Sequence, residues 1–212
     1  MKILKNFYHK LFSKDQRVMI RFRINMFYEL ISLGFYSSTN FQEKRPVRTI
    51  VVLGMHRSAT SMIARSMHLT KEVYMGNDLM LGGQQRGHYE QIPIVQLNDK
   101  ILEAANGSWD KPPSDKSIQK LKGVFDKEIQ NELTKLKQSS PGGTIGFKDP
   151  RMCLTVKLWE PFLINPQYVL SFRDSREIAL SLQKRNGMSI REGEELANEY
   201  NRRIKDFLND RY

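Results

Sequence analysis

A chain of 212 residues with a single cysteine excludes an intramolecular disulfide framework, and its length suffices for one α/β domain whose core needs no metal staple. No group of Cys and His has metal-ligand spacing, so no structural zinc is expected, and Cys153 reads as a small buried hydrophobe of an intracellular protein. The net charge of +11 is uneven: residues 1–48 hold ten Lys or Arg against Asp15, Glu29 and Glu43, while the remainder holds 24 against 20, so the basic excess belongs to a leader and speaks for an anionic partner there.

In the leader, Ile3, Leu4, Phe7, Tyr8, Leu11 and Phe12 share one helix face. Ser13-Lys14-Asp15-Gln16 has the form of a capping box and predicts a second helix from about Asp15 through Leu33. Arg17, Arg21, Arg23 and Glu29 exclude a membrane span over that stretch, and no apolar run with a small-residue cleavage site marks a secretory signal. A cytoplasmic location is therefore expected. The amphipathic leader is expected to pack against its own domain or a second chain, with peripheral contact to an anionic bilayer as the alternative. Residues 34–46 have linker composition, which divides the chain into a basic helical leader over 1–46 and a folded domain over 47–212.

That domain opens on Thr49 to Leu53, a β-branched run ending at Gly54, followed by helical composition from Ser58 to Met67. Strand, tight loop and helix in this order aim backbone N–H groups and the helix dipole at one point, where phosphate or sulfate would sit. In P-loop register Ala59 stands where the second glycine belongs and Thr60 where the lysine belongs, so Arg57 is the loop's fixed cation. The bland reading is a strand-to-helix turn capped by Ser58. Residues 76–87 read as a mobile loop, Ile92 to Ala105 as a helix, Trp109 to Pro113 as a turn, and Ser117 to Gln138 as one polar helix carrying Leu121, Phe125, Ile129, Leu133 and Leu136 on its inner face.

After a break at 139–143, Thr144 to Phe147 reads as a strand ending in Lys148-Asp149-Pro150-Arg151, followed by a helix from about Leu154 to Glu160. Gln167 to Phe172 reads as a buried strand ending in Arg173-Asp174. A helix runs from Arg176 to about Arg185, and a capping box at Ser189 to Glu192 opens the last helix. Strands alternating with helices predict an α/β, P-loop-like three-layer fold, a parallel sheet flanked by helices with ligands at the carboxyl ends of the strands.

Arg57-Ser58-Ala59-Thr60-Ser61 resembles the loop with which sulfotransferases grip the 5′-phosphosulfate of 3′-phosphoadenosine 5′-phosphosulfate (PAPS), and Arg173 with Ser181 eight residues later resembles their 3′-phosphate motif. With Gly87-His88-Tyr89-Glu90, Gly107-Ser108-Trp109, Pro112-Pro113 and Lys148-Asp149-Pro150-Arg151, the resemblance to bacterial-type sulfotransferases covers about Val47 to Phe207. Lys148-Asp149-Pro150 and the Arg173/Ser181 pair are also similar to tyrosylprotein sulfotransferases. It implies PAPS as cofactor, adenosine 3′,5′-bisphosphate as product, and a hydroxyl-bearing carbohydrate, lipid, peptide or small molecule as acceptor. It further implies Glu90 as base, Lys148 assisting the transferring group, and a domain ending short of where family members continue. From the residues themselves His88 is a second candidate base, Arg57 and Lys148 are charge-neutralising groups, and neither metal nor nucleic acid is expected. Ala59 in place of glycine implies strain if the position needs positive φ. The rivals are a P-loop kinase or nucleotide hydrolase, with Asp149 and Asp174 as candidate magnesium ligands, and a non-catalytic nucleotide fold held to anionic membranes by the leader.

Overall fold

A computed structural model describes residues 47–80 and 88–210, so the expectations for the leader, for its linker and for 81–87 of the predicted mobile loop lie outside the described residues. Three strands form one parallel sheet in the order β2-β1-β3, with β1 at Arg48–Leu53, β2 at Thr144–Lys148 and β3 at Pro166–Leu170. Val51 of β1 lies opposite Phe147 of β2 and Tyr168 of β3, so the three carboxyl ends stand side by side. That end is where open parallel sheets receive ligands.

Among the described residues the helices are α1 (Thr60–Thr70), α2 (Ile92–Ala104), α3 (Asp115–Gln119), α4 (Asp126–Gln138), α5 (Met152–Trp159), α6 (Ser175–Asn186) and α7 (Ile190–Asn209), with a 3-10 turn at Glu160–Phe162. Parallel neighbours require long crossovers, and α1 through α4 fill the first while α5 fills the second. Val51 and Leu53 project into a large core with Ile101, Ile129, Phe147, Trp159, Ile178 and Tyr200, and a smaller cluster of Ala64, Met75 and Leu79 gathers beside α1. Tyr74 covers the outer edge of β2, donating its N–H to the Thr144 carbonyl and accepting from the Gly146 N–H. Among the described residues no helix is long and apolar enough to cross a membrane.

Three expectations are corrected. The predicted helix over 117–138 is two helices separated by a turn at 120–125, where Gly123 has φ 88. Its inner face nevertheless survives, because Phe125, Ile129, Leu133 and Leu136 are all buried across the break. The strand predicted as buried over 167–172 is a half-buried strand in which Val169 alone is fully covered, since it lies at the outer position of the sheet. The helix predicted from Leu154 begins two residues earlier, at Met152. Elsewhere the chemistry legible in the sequence acts as read: Ser189 and Glu192 form a complete capping box, and Cys153 is buried with its thiol pushed up to about 12 by desolvation.

Candidate functional site

The loop after β1 is shaped by what it must pass. A Cβ on Gly54 would stand 2.6 Å from the Ser171 carbonyl oxygen and 2.7 Å from the Thr60 methyl, so only glycine lets the chain leave the sheet here. The Ser171 hydroxyl donates to the Ser58 carbonyl, and the Ser58 hydroxyl donates to the Met55 carbonyl at 2.6 Å. Ser58 therefore fixes the loop from within and does not cap the helix. The cap is Ala59, with φ 67, and it makes no side-chain bond.

Arg57 also has positive φ, at 68, whereas Ser58 between them does not. Alternating hands of backbone turn successive N–H groups toward one side, forming a concavity that suits an anion. Among the described residues the N–H groups of Arg57, Ala59, Thr60 and Ser61 have no acceptor. The Ala59 strain inferred from the sequence is thus present, and it belongs to the geometry that leaves these donors open.

Two clusters flank the loop. On the α6 side, Arg57 Nε donates to Ser181 Oγ at 2.7 Å, and Arg173 Nη1 donates to the Arg57 carbonyl at 2.9 Å. Arg173 Nε pairs with Glu177 at 2.9 Å, so the bland reading of Arg173 describes one edge of its guanidinium and the loop occupies the other. Asp174 accepts from the Arg176 and Glu177 N–H groups and caps α6. Burial, then Arg185 and Arg173, lower the Arg57 pKa.

On the opposite side, Lys148 at the end of β2 is buried to 2% side-chain exposure and its ammonium has three partners. They are Glu90 Oε1 at 2.5 Å, Ser61 Oγ at 3.2 Å and the His88 carbonyl at 3.2 Å. Three donors meet three acceptors, so the ammonium is saturated. His88 is half-buried, and desolvation outweighs the opposing pull of Glu90 to hold its imidazole pKa below the ordinary value, leaving it neutral near pH 7. The structure thus brings Arg57, Ser58, Ala59, Thr60, Ser61, Arg173 and Ser181 together with Lys148, Glu90 and His88 around one loop.

Behind Lys148 lies a buried polar network that carries the turn into α5. Asp149 is fully buried, with Oδ1 accepting from the Arg151 N–H and Nη1 and Oδ2 accepting from Asn98 Nδ2. Asn98 Oδ1 in turn accepts from the Thr155 hydroxyl and the Trp159 indole. Both Asp149 oxygens are engaged, and Asp174 is a helix cap.

Sequence reasoning passed over Arg185 and His56. Arg185 lies one turn beyond Ser181 on α6 and adds its charge to Arg57, His88 and His56, a spacing of four that was legible in the helix. His56 packs on Trp109 with ring centroids 4.7 Å apart, a contact across the fold that no spacing announces. No protein-family model matches the chain, and no curated protein matches it in sequence.

Proposed function

We propose that this chain is a sulfotransferase that moves a sulfuryl group from PAPS to an acceptor hydroxyl. The observation that carries this reading is the convergence on one open N–H loop of the Arg57–Ser181–Arg173 cluster and the Lys148–Glu90–Ser61 cluster. A guanidinium and a hydroxyl suit the 3′-phosphate, and the loop N–H groups suit the 5′-phosphosulfate. The kinase reading is less well served, because both Asp149 oxygens and the Asp174 carboxylate already have structural partners.

When bound, PAPS supplies a sulfuryl group already joined to a phosphate leaving group. Arg57 and the loop N–H groups neutralise the charge that grows on the phosphate oxygen as its bond to sulfur breaks. Lys148 serves the sulfuryl oxygens. Glu90 takes the proton of the acceptor hydroxyl as the new oxygen–sulfur bond forms, with neutral His88 as the second candidate. Because Glu90 is paired with Lys148 at 2.5 Å, an anion that draws Lys148 away also frees the carboxylate. The acceptor is defined only as a hydroxyl, of a carbohydrate, lipid, peptide or small molecule, and the reading places the enzyme in the cytoplasm, with the basic leader available for an anionic surface or a second chain.

Adenosine 3′,5′-bisphosphate is expected to stabilise the protein against heat more than AMP does. Arg173→Ala and Ser181→Ala should each reduce that difference, by about 1.5–3 kcal/mol for the charged contact, while the AMP response persists. Ser181→Ala matters because Arg173 also holds the loop carbonyl. Equal stabilisation by the two nucleotides in the unmodified protein removes the reading.

A further inference from the structure

We propose that His56 is a ligand-contact residue whose Nε2 hydrogen-bonds an oxygen of the anion held by the 54–61 loop. The inference rests on the anion-site part of the proposed function and is independent of sulfuryl transfer. The carrying observation is an orphan: His56 Nε2 is shut off from solvent and has no hydrogen-bond partner. Buried polar side-chain atoms are nearly always paired, so an exception beside a loop of open N–H donors calls for a partner that arrives from outside the chain.

Packing holds the ring in place. Trp109 lies against it at 4.7 Å with the planes tilted by 54°, and Tyr200 meets it edge-on at 6.2 Å. The Tyr200 hydroxyl donates to the Trp109 carbonyl at 2.7 Å, tying the two walls to each other. His56 sits on the loop immediately before Arg57, whose N–H is open.

The surroundings specify the charge of the ligand. Besides burial, the groups that depress the His56 pKa are Arg151 from the turn after β2, Lys148 from β2, Arg185 from α6, and His88. Burial and these cations keep the imidazole neutral in the free protein. Lys148 is paired with Glu90, and Arg151 with Asp99 and Asp149, whereas Arg185 has no paired carboxylate among the described residues. That unpaired cation favours an oxyanion over a neutral hydroxyl here, and a ring N–H is a suitable donor to it. Two side-chain donors of the site are committed elsewhere, Lys148 to three acceptors and Arg57 Nε to Ser181.

Inorganic pyrophosphate is the probe, titrated into full-length protein carrying 15N-labelled histidine, with the His56 ring signals identified by their loss in His56→Gln. The ring nitrogens of His56 should shift on saturation. In calorimetry, His56→Phe, which keeps the contacts with Trp109 and Tyr200, should lose about tenfold in pyrophosphate affinity, and His56→Gln, whose amide restores a donor, should regain most of it. Unmoved His56 signals, undiminished affinity in His56→Phe, or no pyrophosphate binding by the unmodified protein would each overturn the proposal. Should His56→Phe fail to fold, the unmodified protein's spectrum decides alone. The sulfotransferase reading fails separately, when adenosine 3′,5′-bisphosphate and AMP stabilise equally while pyrophosphate still moves His56.

Discussion

The two flanks of the loop differ in how far they neutralise themselves. On the α6 flank, Arg57, Arg173 and Arg185 gather with Glu177 as the only carboxylate paired to any of them among the described residues, and the Arg173–Glu177 pair is 39% and 46% exposed. A pair so exposed contributes little and is readily exchanged. On the β2 flank the Lys148–Glu90 pair is 2% and 9% exposed, and every donor of the ammonium is used. The first flank offers spare positive charge to an incoming anion; the second must give up a buried bond before it can act. An anion is therefore expected to be captured at the α6 flank and to reach Lys148 by exchange with Glu90.

Breaking the β2 flank on its acidic side should give the largest effect. Glu90→Gln keeps the shape and removes the basicity, so sulfuryl transfer should fall by about a hundredfold to ten-thousandfold. Affinity for adenosine 3′,5′-bisphosphate should not fall, because Lys148 loses the carboxylate that competes for it. Near-normal turnover in Glu90→Gln together with its loss in His88→Ala would transfer the role of base to His88.

Removing the other partner tests stability. Lys148→Ala leaves Glu90 buried without a cation, which typically costs about 3–5 kcal/mol when one member of a buried pair is deleted. Denaturant unfolding should show that loss, and the double variant Lys148→Met with Glu90→Gln should recover part of it by removing the uncompensated charge. A loss below about 1 kcal/mol in Lys148→Ala would mean that water reaches Glu90 and that the flank is not closed.

The same contrast separates what the sequence could say from what it could not. Strand ends were legible because a β-branched run, a glycine and a helix-forming stretch follow one another at Leu53–Gly54, and the α6 flank was legible only through the resemblance of Arg173 and Ser181 to the sulfotransferase 3′-phosphate motif. The partnership of Lys148 with Glu90 spans 58 residues and a strand end, so spacing could name both as candidates without showing that each occupies the other. The split of the 117–138 helix was hidden for another reason: Phe125 and Ile129 keep helical spacing through the turn, so the apolar pattern runs on where Gly123 breaks the backbone. The bond from Ser171 to the Ser58 carbonyl, which sets the loop, is likewise a product of the third dimension.

The smallest expected effect lies between the flanks, at the residue that joins them. Ala59 is exposed, caps α1 without a side-chain bond, and holds φ 67. A left-handed backbone costs an L-residue with a Cβ about 1–2 kcal/mol, while glycine adopts it freely and is the better helix cap. The greater freedom of glycine in the unfolded chain offsets part of that gain, so Ala59→Gly should stabilise the protein by about 1 kcal/mol. For a domain of this size that corresponds to about 2–4 °C in Tm. Because the substitution preserves the backbone that opens the Arg57, Thr60 and Ser61 N–H groups, pyrophosphate affinity should change less than threefold. A lower Tm in Ala59→Gly would mean that the loop is not held left-handed at this position, and the alternating backbone on which the anion site depends would lose its support.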